Sequence, residues 1–125
     1  MENFLAAVLT EHYKPLTLET FKAEAPGNGQ VLVEMISAGL CGAQINEIDA
    51  VKGHDKYMPH FMGHEGFGVV QRVGEGVGKV KKGDYVVLHW KKGSGCDCFG
   101  GKYFSKLGIV GSGPVTTFAE QTIVS

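Results

Sequence analysis

No stretch of this chain stays apolar for the ~20 residues that a membrane-crossing helix needs. The first residues, MENFLAAVLTEHYK, have neither the basic start nor the small-residue cleavage site of a secretory signal. Cysteine is scarce and odd in number: Cys41, Cys96 and Cys98 would leave one thiol over in any disulfide framework. A reducing cytoplasm is therefore the expected compartment. An excess of charge is lacking too. Lys and Arg number 12 against 13 Asp and Glu, a net charge of -1, and no basic stripe offers footing to nucleic acid. There are no internal repeats and no linker, and 125 residues suit one domain with one core. Glycine is what the chain has in plenty. Its 19 residues are about twice the average share, while four prolines do not make a low-complexity chain. So much glycine in a folded chain means many sharp turns between short strands.

The pattern along the chain agrees. Residues 4–10 and 16–23 read as two strands around the turn EHYKP, and APGNG is a strong turn signal. QVLVEMISAGLCG then reads as a buried strand that ends in a glycine turn. Residues 43–51 suit a short helix, with Ile45 and Ile48 on one face and Gln44 and Glu47 on another. KGHDKYMPHFM has no period and reads as a surface loop. EGFGVVQRVG is a strand in which Gly66 and Gly68 allow a bulge or close backbone packing. YVVLHW is another strand, residues 91–113 read as irregular, and VTTFAEQTIV closes the chain as a strand. These elements predict one mainly β domain with turn signals at barrel-like spacing.

Within this frame, GHEGFGVV sets His64 and Glu65 on a glycine at the mouth of a strand. Zinc takes thiolate, imidazole and carboxylate ligands, and a catalytic zinc keeps one position open. Cys41 ends the preceding long strand, so the two strand ends could bring thiol and imidazole to one metal, with Glu65 as third ligand or neighbour. Spacing alone also allows plainer readings. A lone cysteine is commonly a small buried hydrophobe, and a histidine beside a glutamate is commonly a hydrogen-bonded surface pair.

Taken together, AGLCG, PHFMGHEGFGVVQRVGEGV, KKGDYVV and TTFAEQTIV resemble, in order and spacing, the N-terminal catalytic domain of the zinc-dependent medium-chain alcohol dehydrogenases. The resemblance implies a GroES-like, partly open β-barrel with one or two short helices over residues 1–125, and a Rossmann cofactor domain that this chain does not contain. It implies Cys41 and His64 as ligands of one catalytic zinc, with Glu65 beside the metal or ligating when water leaves. The zinc would polarise an alcohol oxygen so that hydride passes to NAD or NADP. The implied partners are a small alcohol or aldehyde, the missing Rossmann domain and, at full length, further copies of the same chain.

The chain also departs from that family pattern. The hydroxyl residue that relays the alcohol proton is replaced by Ala43, and the histidine that carries it outward by Asn46. The Asp that orients the ligand histidine is replaced by Gln44, whose amide can accept from an imidazole without contributing charge. Water, a substrate group, His54 or His60 would have to substitute, although the simplest reading of those two is loop histidines in solvent. Cys96 and Cys98 cannot close a four-thiolate structural site, and neither His89 nor Asp97 has suitable spacing, so no structural zinc is expected. That lobe is expected to be a glycine-rich loop ordered by packing of Tyr103 and Phe104. Trp90 fits a substrate pocket facing the small Ala43 as well as it fits a core position. Neither GEGVGKV nor GIVGSG has the spacing and following helix of a phosphate cradle, and no strand–GxGxxG–helix unit is present. The isolated chain should therefore turn over nothing by itself. Two other readings are a metal-independent quinone or enone reductase of the same superfamily and a non-catalytic GroES-like interaction module. The retained Cys41 and GHE argue against both.

Overall fold

A computed structural model of the protein describes residues 3–55, 57–89, 102–111 and 115–124. Trp90, Cys96, Asp97 and Cys98 lie outside the described residues. The chain opens with an antiparallel pair, β1 (Phe4–Leu9) and β2 (Thr17–Ala23). Alternation along a strand sends Phe4, Ala6 and Val8 inward from β1, and Phe21 and Ala23 from β2. There follow β3 (Val31–Ala38), α1 (Gly42–Ile48), β4 (His60–Phe61), β5 (Glu65–Val73), β6 (Tyr85–His89), β7 (Lys102–Ser105), β8 (Gly108–Gly111) and β9 (Gln121–Val124). Strands β1-β2-β7-β8-β4 close into a small barrel, and β6-β5-β3-β9 form a four-stranded sheet. This is the mainly β architecture expected, with a single short helix among the described residues. None of these residues forms a helix long and apolar enough to cross a membrane.

Two cores hold the molecule. In the barrel, Phe4, Phe21, Phe61 and Tyr103 meet ring to ring, with Phe61 stacked on Tyr103 at 4.2 Å and set edge-on to Phe21 at 4.8 Å. The Tyr103 hydroxyl accepts the Ile123 N–H of β9 at 2.8 Å, so a barrel residue also satisfies a donor of the other sheet. In that sheet Val31, Val33, Val70 and Leu88 pack together. Between the two, residues 118–120 run along β1: the Ala7 N–H donates to the Phe118 carbonyl at 2.8 Å, and the Glu120 N–H to the Leu5 carbonyl at 2.9 Å.

The details differ from the pattern-based reading in four places. β4, β7 and β8 lie in segments expected to be irregular. β4 has only two residues, too few to show a period, and β7 and β8 pair through local contacts across the two-residue turn of Lys106 and Leu107. The last strand is confined to Gln121–Val124, because residues 118–120 bond to β1 instead. Burial along β3 ends at Val33. Of the two aromatics expected to order the lobe, Tyr103 is fully buried in the barrel while Phe104 points outward. Gly68 behaves as expected: a Cβ there would stand 2.4 Å from the Glu34 carbonyl oxygen, so only glycine lets β3 lie this close to β5. The pairing of β3 with β5 slips between Met35 and Ser37, the bulge anticipated for this glycine pair.

Candidate metal and substrate site

α1 begins at Cys41, whose extended backbone (φ -129°, ψ 148°) makes it the N-cap. The Cys41 N–H donates to Gln44 Oε1 at 2.8 Å, and the Gln44 N–H to the Cys41 carbonyl at 3.1 Å. Gln44 is therefore spent on fixing the start of the helix. This inverts the expected faces: Gln44 is buried and Ile45 is exposed. Gln44 Nε2 is buried without a hydrogen-bond partner. The amide that was expected to orient His64 instead positions the backbone of Cys41. The Cys41 thiol is free and exposed.

The other end of α1 is held by a residue the sequence did not flag. His12 Nδ1 donates to the carbonyls of Glu47 (3.0 Å) and Ile48 (3.3 Å), and its Nε2 accepts the Asp55 N–H at 2.9 Å. The partners fix the tautomer, with the hydrogen on Nδ1 and the lone pair on Nε2. His12 thus ties the helix end to the loop that follows it.

His64 enters the site through Gly63, whose φ of +99° is open to glycine at little cost. A Cβ at Gly63 would stand 2.4 Å from Thr117 Oγ1 and 2.9 Å from the Phe118 backbone nitrogen. The hinge is therefore packed as well as turned. It leaves the imidazole half-buried, with Nε2 3.6 Å from Glu47 Oε1. Glu65 heads β5 opposite His89, and its side chain lies against Gly39.

A cleft of about 470 Å³ opens here, lined by His12, Ala43, Asn46, Glu47, His54 and His64 among others. Three positions that the sequence singled out for this site, Ala43, Asn46 and His64, therefore share one cavity. Cys41 starts the helix on its border, and Glu65 lies on the adjoining strand; neither lines it. Glu47 and Asp55 also line it and were not among the residues that the sequence singled out. The only hint of Glu47 was its place on the polar face of α1.

His60 is not a loop histidine in solvent. It lies on β4, its Nδ1 donates to the Phe61 carbonyl at 2.8 Å, and its Nε2 meets Asp55 Oδ2 at 2.5 Å. Both nitrogens face protein oxygens. His54 is exposed as expected, and its ring packs edge-on to His12 at 5.6 Å. Burial alone would raise the Asp55 carboxyl, but the bond from the Tyr57 N–H and the contact with His60 outweigh it, and the group lies below its ordinary value of 3.8. Among the described residues, one group of three ligand-type side chains has its donor atoms within 4.8 Å of one another: Glu47, Asp55 and His60.

The profile of the alcohol dehydrogenase GroES-like domain matches residues 27–125. The chain belongs to the alcohol dehydrogenase family. Within that family it is 45% identical over 83 residues to alcohol dehydrogenase 6 of Peromyscus maniculatus, an alignment covering 66% of this chain and 22% of that protein. It is 42% identical over 85 residues to the NDMA-dependent alcohol dehydrogenase of Amycolatopsis methanolica, again covering 66% and 22%. Its matches to these curated relatives thus span about a fifth of their length. The fold agrees: an alcohol dehydrogenase zinc-binding domain protein from Burkholderia ambifaria superimposes with a TM-score of 0.84 at 24% identity, over 98% of this chain and 40% of that one.

Proposed function

We propose that this chain is the zinc- and substrate-binding domain of an alcohol dehydrogenase that passes hydride from an alcohol to NAD or NADP. The cofactor would sit on a Rossmann domain outside these 125 residues, and the enzyme would work in the cytoplasm as an oligomer. The observation that carries this reading is the delivery of His64, by the packed glycine hinge, into a cleft bordered by the helix that Cys41 begins.

The ligand types suit the family's metal, though the donor atoms of Cys41, His64 and Glu65 do not all lie within 4.8 Å of one another. A thiol, an imidazole and a carboxylate are the ligand types zinc takes, and the exposed Cys41 sulfur is open to it. Cys41 and His64 would hold the ion, with Glu65 beside it. When bound, zinc supplies Lewis acidity toward the alcohol oxygen. The residues of the cleft do the rest. Ala43 offers no hydroxyl, so the alcohol proton would have to pass to water, to a substrate group or to a histidine such as His54, which lines the same cleft. Gln44 holds the Cys41 backbone in place, and His12 holds the far end of α1. A chain of this composition, with no dinucleotide-binding turn, binds metal and substrate but does not turn over by itself.

The test is alcohol oxidation by the protein joined to its cofactor domain. His64→Ala and Cys41→Ser should each lose bound zinc and at least ~100-fold in kcat, more than the loss of a residue that merely supports a ligand. Full activity in either variant, or undiminished activity after chelation, would overturn the reading and favour the metal-independent one.

A further inference from the structure

The contact between His64 and Glu47 is the wrong length for a hydrogen bond. At 3.6 Å, Nε2 and Oε1 are beyond the 2.7–3.2 Å that such a bond requires. The separation has another natural meaning. Zinc binds imidazole nitrogen and carboxylate oxygen each at about 2.1 Å, and a tetrahedral angle then sets the two ligand atoms about 3.4 Å apart. The pair already stands close to one edge of such a tetrahedron. By the same measure Asp55 Oδ2 and His60 Nε2, at 2.5 Å, are too close to be ligands of one ion and are instead bonded to each other through a proton.

We infer that Glu47 is a carboxylate ligand of the metal that His64 binds. The inference rests on the zinc reading above and adds to it a ligand from within this domain, from the helix that Cys41 begins. Three further observations agree. The Glu47 side chain is two-thirds buried, at 33% exposure, and lines the same cleft as His64. Its backbone is held from outside α1, because His12 Nδ1 donates to the Glu47 carbonyl and the Tyr13 N–H to that of Ile48. Ligands fixed in this way lose little freedom on binding. Glu65, the carboxylate suggested by the sequence, instead lies along Gly39 outside the cleft lining.

The experiment uses the purified protein and metal alone. Zinc affinity is measured by competition with a chelating dye, and the visible spectrum is recorded after cobalt substitution, for wild type, Glu47→Gln and His64→Ala. A thermal melt with chelator present confirms that each variant folds. Glu47→Gln should melt like wild type in chelator, since an ion pair a third exposed and 3.6 Å apart contributes little. It should bind zinc at least ~10-fold more weakly, and its cobalt bands should shift because a ligand has changed. Unchanged zinc affinity in Glu47→Gln, with His64→Ala still losing the metal, overturns the inference and leaves the zinc reading standing. Weakened affinity with an unaltered cobalt spectrum also overturns it, since Glu47 would then act by charge alone. Wild type that takes up no zinc overturns both.

Discussion

Gly63 carries two demands at once, a left-handed φ of +99° and a packed surface where Thr117 Oγ1 and the Phe118 backbone leave no space for a methyl group. Gly63→Ala should therefore cost ~2 kcal/mol or more, from backbone strain together with overpacking, and urea denaturation would measure it. Should the variant remain folded, it should also bind zinc more weakly, because His64 is the next residue. Asp55 offers a test of a different kind. Its carboxyl is more acidic in the folded protein than its ordinary value of 3.8, so the folded state gains from its charge. That gain is complete above the ordinary value and is lost as pH falls through the lower, folded one. Wild type should accordingly lose stability more steeply than Asp55→Asn below pH 3.8, as followed by denaturant midpoints across an acid series. The residues themselves show why the sequence was legible in some places only. His64 announced itself through its glycine and its neighbour. Glu47, His12 and Asp55 carry no local signature, since their significance lies in contacts that form only when separate segments meet, such as His12 with Glu47, 35 residues apart.

Among the elements, the long strands were readable because alternation or a run of β-branched residues marks them over six or more positions. The two residues of β4 could not show a period, yet they place Phe61 in the barrel core and His60 against Asp55. The helix was expected over residues 43–51 but ends at Ile48, and it was turned wrongly. Its apolar Ile45 faces outward, because the cap needs Gln44 inside. β7 is tied into the structure by one hydroxyl as well as by its ring. Tyr103→Phe keeps the stacking on Phe61 and removes the acceptor of the Ile123 N–H. The orphaned buried donor should cost about 1–3 kcal/mol, whereas Phe61→Ala, which empties the middle of the aromatic cluster, should cost about 3–5 kcal/mol. Equilibrium unfolding of the two variants side by side would check that order.

For the molecule as a whole, two apolar cores are built from the chain's own side chains, so the proposed zinc is expected to add to the stability of the fold and not to create it. Zinc should raise the melting temperature without being required for folding: at 100 times its dissociation constant it adds about 2.7 kcal/mol to a native state that alone binds it. Chelator should lower the melting point and leave far-ultraviolet dichroism at room temperature unchanged, which calorimetry and dichroism together would verify. Collapse of the fold on chelation would mean that the ion is structural. The seam where residues 118–120 bond to β1, together with the Tyr103 hydroxyl that reaches Ile123, has a thermodynamic consequence. Neither sheet can melt while the other survives without stranding donors and acceptors along their border. Amide protons in the barrel and in the neighbouring sheet should therefore share one slow class of exchange with solvent, and a scanning calorimeter should record a single peak.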